Sequence, residues 1–213
     1  MTAAIKLTKR GPEITSDQSV IEALRAEYAS RSFVYLRQLI APELLDLFCT
    51  NVEKGGFERL EHPYGAELDT TDLKTSALID VLFNNTRPFE FIQTITDCGS
   101  IGSFNGRVYR YLADEDHYDG WHNDLVQHRI VALSLNITKQ SYEGGLLELK
   151  DLDSQVIESI PNTVFGDAIL FRLASHLEHR RTPVRGNVPK TAIAGWFRSE
   201  PQFMDLIRQF QST

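Results

Sequence analysis

The sequence has few cysteines, no long apolar run and no excess of positive charge, and each absence narrows the class of protein. Two cysteines, Cys49 and Cys98, in 213 residues do not make a disulfide framework, so we expect free thiols in a reducing cytoplasm. No apolar run reaches the roughly eighteen residues of a membrane span, and the N-terminus lacks the apolar stretch of a signal peptide. A net charge of −7 disfavours nucleic acid as a partner. We therefore predict a cytoplasmic protein that binds neither membrane nor nucleic acid.

The chain also lacks internal repeats, low-complexity tracts and Gly/Ser-rich linkers, which predicts a single domain across residues 1–213. Hydrophobic residues make up 42% of it, enough to build a core. In the first hundred positions apolar residues recur with the spacing of helices. Helices are predicted over residues 17–30, 41–56, 73–84 and 89–96, with a break around Pro88, and again over residues 202–210 at the C-terminal end.

From about residue 101 the pattern changes to short alternating segments. In "RIVALSLNIT", Val131 and every second residue as far as Ile137 point to one side, and the residues between them point to the other. Many short strands without intervening helices are typical of a sandwich or barrel. We therefore predict a mainly β protein, with a double-stranded β-helix (jelly roll) core over residues 101–200 packed against a helical N-terminal support over residues 1–100.

One short stretch, "YDGWHND", holds two side chains that can bind a metal, His122 and Asp124. Residues i and i+2 of a strand point to the same face, so the two side chains project together if they border a strand. Downstream, His176 and His179 each offer a third ligand, and strand geometry alone does not choose between them. Two histidines and one carboxylate on one face of an iron ion leave three positions open, which is the arrangement of non-haem Fe(II) oxygenases.

A second pattern lies further along, in "FGDAILFRLASHLEHRRTPVRGNVPKTAIAGWF". It combines a G-D-x-x-x-F strand, a histidine four residues before Pro-Val, and a glycine and a basic residue that open a strand ending in Trp-Phe. The matching positions are Gly166 to Phe171, His179 with Pro183 and Val184, Gly186, Lys190, and Trp196 with Phe197.

Together with the H-x-D, this order of motifs resembles the 2-oxoglutarate/Fe(II)-dependent dioxygenase superfamily, in particular its prolyl-4-hydroxylase-like branch. The resemblance covers residues 108–199. It selects His179 rather than His176, because Pro-Val follows His179 at the family's spacing. It therefore implies His122, Asp124 and His179 as the iron ligands, with no catalytic residue beyond them.

The resemblance also implies Fe(II), 2-oxoglutarate as co-substrate and ascorbate as a reductant. 2-Oxoglutarate is a dianion whose far carboxylate needs a buried cation, and the family supplies a Lys or Arg at the start of the last barrel strand. Lys190 matches that place, although one residue more than usual separates it from His179, so Arg185 and Arg198 remain alternatives. Tyr111 corresponds to the family's tyrosine that donates its hydroxyl to the same carboxylate.

The activity that the resemblance implies is hydroxylation of a C–H bond, because halogenating relatives lack the carboxylate that Asp124 provides. The substrate stays open among an amino acid, a peptidyl side chain and a small metabolite. Two alternatives also stay open: a cupin-type jelly-roll metalloprotein that does not use 2-oxoglutarate, and a non-catalytic family member that acts as a binding module. Loops over residues 61–74 and 114–120 are expected to cover the site. Residues that either contact substrate or serve only packing, solvation or ion pairing are Tyr118, Trp121, Arg172, Arg180, Arg181 and Arg185.

Overall fold

The computed structural model describes residues 3–153 and 155–201, and within them the chain forms four helices and fifteen strands. The helices are α1 (Gln18–Arg31), α2 (Pro42–Gly55), α3 (Leu73–Phe83) and α4 (Thr86–Thr96). The first seven strands are β1 (Ile5–Thr8), β2 (Gly11–Ile14), β3 (Phe33–Leu36), β4 (Phe57–His62), β5 (Gly65–Thr70), β6 (Ser103–Tyr111) and β7 (Tyr118–His122). The others are β8 (Arg129–Asn136), β9 (Glu143–Gly144), β10 (Leu147–Lys150), β11 (Val156–Ile160), β12 (Ala168–Arg172), β13 (Glu178–Arg181), β14 (Val184–Arg185) and β15 (Lys190–Arg198). The helix predicted over residues 202–210 lies outside the described residues.

The starts of the helices are marked by side chains that cap them or by a proline. Asp17, Asp72 and Asn85 cap α1, α3 and α4 by accepting hydrogen bonds from backbone N–H groups of the first turn, and α2 begins with a proline. The break between two helices that the sequence predicted around Pro88 lies a few residues earlier in the structure. Pro88 lies inside the first turn of α4, where a missing N–H costs no helical hydrogen bond, and the break falls before Asn85.

Eleven of the described strands form one antiparallel sheet, in the order β11-β10-β13-β7-β5-β6-β15-β8-β12-β3, with β4 paired to β5. The two ends of this order meet. The Tyr35 hydroxyl of β3 donates to the carbonyl of Pro161 just after β11 (2.6 Å), and Arg31 forms an ion pair with Glu158 of β11 (2.9 Å). The sheet is therefore curled on itself, which confirms the predicted jelly-roll core with helices.

The outer and inner faces of the curled sheet have different cores. The outer face packs with the helices into one core cluster, which includes Leu133 and Ile193 from the sheet and Phe48 and Ile95 from the helices. At one end of the barrel the inner face is apolar, with side chains such as Phe171 from β12 and Leu149 from β10. The remaining inner face, on β6, β7, β13 and β15, is where the polar side chains described below are buried.

Two segments predicted as loops contain strands. The segment 61–74 lies largely in a hairpin of β4 and β5, and β7 begins within the segment 114–120. The strand β4 exposes most of its residues on both faces, so no hydrophobic alternation marks it in the sequence. Cys49 and Cys98 are free and partly buried. None of the described helices is long and apolar enough to cross a membrane.

Candidate metal centre and co-substrate cavity

The metal-binding candidates come together where β7 and β13 lie side by side. His122 ends β7 and pairs in register with His179 of β13, and Asp124 follows two residues after His122. Paired residues on neighbouring strands point to the same face of a sheet, so both imidazoles project into the barrel. His176, in contrast, is exposed in the turn before β13. The structure thus brings His179, and not His176, to the H-x-D pair.

The three side chains are close enough to share one ion. One ligand atom from each of His122, Asp124 and His179 lies within 4.8 Å of the other two. The Nε2 atom of His122 is 3.8 Å from Asp124 Oδ1, and the Nε2 atom of His179 is 3.4 Å from Asp124 Oδ2. Two imidazole nitrogens and one carboxylate form a donor set that suits Fe(II) and leaves room for further ligands. The residues present therefore fit a candidate iron site.

Neighbouring groups hold His122 and Asp124 in this orientation. The Nδ1 atom of His122 is 2.7 Å from the carbonyl of Gly120, which as an acceptor keeps the proton on Nδ1 and leaves Nε2 for a metal. The Asp124 carboxylate accepts hydrogen bonds from Arg129 (3.1 Å) and from the indole N–H of Trp196 (2.7 Å). Partners of this kind fix ligand geometry, so the site is preorganised by its surroundings.

The ionisation states of the candidate ligands also suit a metal. Burial acts to raise the pKa of Asp124, but the hydrogen bond from His179 and the neighbouring charges outweigh it, so the pKa lies below its ordinary value. Burial lowers the pKa of His179, which favours the neutral imidazole. A carboxylate anion and a neutral imidazole are the forms that bind metals.

A cavity of about 410 Å³ opens in front of the three candidate ligands. Its inner wall carries Tyr109, Tyr111 and Arg181, and its outer wall carries Tyr64 from the β4–β5 hairpin. Tyr111 is buried, and burial raises the pKa of its hydroxyl, which therefore stays protonated and able to donate. The cavity is thus lined with groups that can meet a polar ligand beside the candidate iron site.

Lys190 begins β15, as the sequence predicted, opposite Tyr111 of β6. The additional residue before it is accommodated in the turn 186–189, where Gly186 has a positive φ of 82°. The Lys190 ammonium is fully buried and donates to the carbonyl of Gly145 (2.5 Å). Burial, reinforced by the positive charge of Arg181, lowers the pKa of Lys190 well below its ordinary value. Lys190 is close to the cavity but does not line it.

The alternative cations are placed less favourably. Arg185 is exposed, and Arg198, at the far end of β15, donates to the carbonyl of Gln127. Of the arginines near His179, Arg172 lies over the ring of Tyr28, and Arg180 forms an ion pair with Glu148 (2.7 Å). Among the four arginines named from the sequence, only Arg181 lines the cavity.

The two aromatic residues that the sequence left undecided lie at the edge of the barrel. Tyr118 is exposed, and Trp121 packs beneath the cationic groups of Lys150 and Arg180. Neither lines the cavity.

The sequence placed the segment 61–74 over the site but singled out none of its residues, and it gave no role to Arg107. Tyr64 stacks on the ring of His122 with centroids 5.0 Å apart. The guanidinium of Arg107 forms ion pairs with the buried carboxylate of Glu67 and with Asp69. No motif marks these residues.

Comparisons with known proteins agree with this architecture. Residues 106–198 match the family model described as "2OG-Fe(II) oxygenase superfamily". No curated protein matches the chain.

Similar solved structures share the fold at low sequence identity. An oxidoreductase of the 2OG-Fe(II) oxygenase family from Burkholderia pseudomallei has a TM-score of 0.67 at 13% identity and covers 92% of this chain and 96% of its own. A prolyl-4-hydroxylase from Pseudomonas putida has a TM-score of 0.63 at 15% identity, covering 84% and 98%. A prolyl hydroxylase from Trichoplax adhaerens, in complex with a hypoxia inducible factor peptide fragment, has a TM-score of 0.59 at 14% identity, covering 85% and 90%.

Proposed function

We propose that this chain is a 2-oxoglutarate-dependent dioxygenase that hydroxylates a C–H bond of an amino-acid, peptidyl or small-metabolite substrate. The match of residues 106–198 to the 2OG-Fe(II) oxygenase superfamily model supports this proposal. The family implies Fe(II) and 2-oxoglutarate. When bound, Fe(II) would allow dioxygen to oxidise both partners: one oxygen atom enters succinate as 2-oxoglutarate loses carbon dioxide, and the other enters the substrate as a hydroxyl group. The protein contributes ligation, orientation and exclusion of water.

The observation that carries this proposal is the position of the His122, Asp124 and His179 side chains. Their ligand atoms lie within 4.8 Å of one another at the wall of a cavity of about 410 Å³. In the proposal these three residues hold the iron, and the cavity receives 2-oxoglutarate and the substrate. An intact Asp124 favours hydroxylation, because it occupies the coordination position that a halide would need.

We further propose that Lys190 and Tyr111 hold the far carboxylate of 2-oxoglutarate. Their facing positions at the ends of β15 and β6 support this, as does the protonated hydroxyl that Tyr111 presents to the cavity. The ammonium of Lys190 would have to turn from the carbonyl of Gly145 to reach the ligand. Leaving an anionic carboxylate unpaired in this buried compartment would be costly.

The residues at the mouth of the cavity favour the binding of a polar substrate. The Glu67–Arg107 ion pair and the ring of Tyr64 border the opening, where they can present charge and an aromatic face to an amino-acid or peptidyl group. The Trichoplax adhaerens neighbour binds a peptide fragment, which makes peptides one class to screen. Free amino acids and small metabolites form the other two classes.

A turnover screen tests this function directly. Protein loaded with Fe(II) under ascorbate is supplied with dioxygen, 2-oxoglutarate and pools of amino acids, peptides or metabolites, and succinate release is measured for each pool. We expect one pool to raise succinate release above the level without substrate, together with a product heavier by one oxygen atom. The control is the His122→Ala variant, which should release no succinate above background.

The alternative functions give different results in the same experiment. Metal binding without any binding of 2-oxoglutarate would favour a cupin-type metalloprotein. Binding of both the metal and 2-oxoglutarate, with no succinate from any pool or from the uncoupled reaction, would favour a non-catalytic binding module. Either result would contradict the proposed hydroxylase.

A further inference from the structure

We infer that Arg181 is a second cation for the far carboxylate of 2-oxoglutarate, which binds it from the cavity wall together with the proposed Lys190 and Tyr111. This inference rests on the proposed function and assigns a residue of this chain to the co-substrate. Arg181 is 93% buried, with 7% of its surface exposed, and it lines the cavity beside the candidate iron site. Lys190 is fully buried behind that wall.

The guanidinium of Arg181 forms no close ion pair with a described residue, and the cross-strand carboxylate of Asp119 acts on it only from a distance beyond 4.0 Å. Among residues 3–153 and 155–201, no carboxylate lies within 4.0 Å of it, and its buried Nη1 atom has no hydrogen-bond partner. Arg107 and Arg129, the other arginines of the cavity wall, each form an ion pair with a carboxylate. A buried charge that no carboxylate contacts directly is costly, which indicates that a closer anion arrives with a ligand.

The position of Arg181 suits the length of 2-oxoglutarate. Arg181 follows His179 by two residues in β13, so both side chains point into the barrel, about 6.6 Å apart along the strand. The five-carbon chain of 2-oxoglutarate, built from bonds of about 1.5 Å, spans roughly 5 Å. A ligand whose 2-oxo acid end binds the metal beside His179 therefore brings its other carboxylate to the level of Arg181.

The neighbouring tyrosines and the shape of the guanidinium also suit the binding of a carboxylate at Arg181. The ring of Tyr109 lies 5.5 Å from the guanidinium, and Tyr111 adds a hydroxyl to the same wall. A planar guanidinium presents two parallel N–H donors to a carboxylate, which fixes its orientation as a single ammonium does not. The positive charges of Arg181 and Lys190 repel each other, and a carboxylate bound at Arg181 would offset both.

Calorimetric titration tests the role of Arg181 without turnover. 2-Oxoglutarate is titrated into protein loaded with Mn(II), which takes the place of Fe(II) but supports no oxidation. Arg181→Met should weaken 2-oxoglutarate binding by about tenfold to a hundredfold, the range expected for losing a charge-assisted hydrogen bond. Mn(II) affinity should stay within a few-fold, because the metal ligands are unchanged.

Arg180→Met is the matched control. Arg180 is the preceding residue, it points to the opposite face of β13, and it forms an ion pair with Glu148 outside the cavity. The Arg180→Met variant should bind 2-oxoglutarate as the unmodified protein does. Retained Mn(II) binding by the Arg181→Met variant shows that it is folded at the site.

A second ligand identifies which end of the co-substrate Arg181 holds. 2-Oxopentanoate keeps the 2-oxo acid and the five-carbon chain but has a methyl group in place of the far carboxylate. The unmodified protein should bind it at least tenfold more weakly than 2-oxoglutarate, and Arg181→Met should remove most of that preference. A full preference in Arg181→Met, combined with its loss in Lys190→Met, would overturn the inference and leave Lys190 as the anchor.

The inference and the proposed function fail in different ways. If the unmodified Mn(II)-loaded protein does not bind 2-oxoglutarate, the proposed function fails, and the assignment of Arg181 fails with it. If the unmodified protein binds 2-oxoglutarate and Arg181→Met binds it equally well, only the assignment of Arg181 is overturned.

Discussion

At the scale of single residues, two of the three candidate ligands are held by groups that do not themselves bind the metal. His122 is oriented by the carbonyl of Gly120, and Asp124 is fixed by Arg129 and Trp196. These partners are partly buried and hold the ligands in one orientation, so the ligands lose less conformational entropy when the ion binds than flexible ligands would. The affinity of the site should therefore depend on residues that never touch the ion.

The choice between the two downstream histidines gives the first prediction. His179→Ala should abolish stoichiometric binding of Fe(II) or Mn(II), because the site loses one of three protein ligands. His176→Ala is the control, since His176 is exposed and outside the cluster. Equilibrium dialysis with metal analysis measures both. Loss of metal from the His176 variant, with retention by the His179 variant, would refute the ligand assignment.

Trp196 gives a prediction about the partners of the ligands. Trp196→Phe keeps an aromatic ring but removes the N–H that donates to Asp124. Loss of such a hydrogen bond typically lowers metal affinity by about tenfold to a hundredfold. Trp121→Phe is the matched control, because Trp121 packs under Lys150 and Arg180 away from the ligands. Equal metal dissociation constants for the two variants would show that the indole N–H does not matter.

Lys190 is tested by removing its charge. Lys190→Met keeps the length of the side chain, and we expect the 2-oxoglutarate concentration needed for half-maximal turnover to rise by about tenfold or more. Metal affinity should change little. Lys139→Met serves as the control, because Lys139 is exposed and pairs with Asp46 on the outer surface. An unchanged requirement for 2-oxoglutarate would exclude Lys190 from the proposed anchor.

Sequence motifs predicted the candidate ligands but not the groups around them. His122 and Asp124 follow from an i, i+2 spacing, and His179 follows from its place before Pro183-Val184. Arg181 could be named only as one of several nearby arginines, because burial and the absence of a partner depend on how strands pack. These are properties of the folded structure that no spacing encodes.

At the scale of elements, the sequence is least informative for the strand that carries the site. Strand β13 reads Glu178-His179-Arg180-Arg181, with no apolar residue, so no hydrophobic alternation predicts a strand there. Its buried positions are taken by His179 and Arg181, which the structure places in the cavity wall. Hydrophobic alternation is expected to fail as a predictor of strands where the buried residues bind a ligand instead of packing in the core.

The G-D-x-x-x-F motif has a structural explanation at this scale. The buried Asp167, just before β12, accepts hydrogen bonds from the backbone N–H of Gln38 (2.9 Å) and from Arg37 (2.6 Å), both just after β3. The carboxylate therefore ties together the ends of two paired strands, β12 and β3. This role concerns the edge of the barrel and not the metal.

Replacement of Asp167 should accordingly lower stability. Asp167→Ala leaves a backbone N–H without its partner, and we expect the free energy of unfolding to fall by roughly 1.5–3 kcal/mol. The control is Asp46→Ala, whose ion pair with Lys139 is exposed and should contribute at most about 1 kcal/mol. Urea unfolding followed by circular dichroism measures both. Equal losses in the two variants would contradict the structural role of Asp167.

At the scale of the whole molecule, the curled sheet brings together groups that are distant in sequence. His122 and His179 become neighbours because β7 and β13 pair, and Tyr111 faces Lys190 because β6 and β15 pair. The alternation of "RIVALSLNIT" and the density of short strands were enough to predict this architecture and its helical support. The hairpin of β4 and β5 was not predicted, because its polar residues on both faces hide the strand pattern.

The central claim is that one metal ion, held by His122, Asp124 and His179, binds 2-oxoglutarate inside this barrel. A crystal structure of the Mn(II) complex grown with 2-oxoglutarate tests it most directly, with the metal located by its anomalous scattering. We predict one anomalous peak bonded to the Nε2 atoms of both histidines and to the Asp124 carboxylate, with the far carboxylate of 2-oxoglutarate held by Lys190, Tyr111 and Arg181. A metal bound without His179, or 2-oxoglutarate bound away from the metal, would contradict the account.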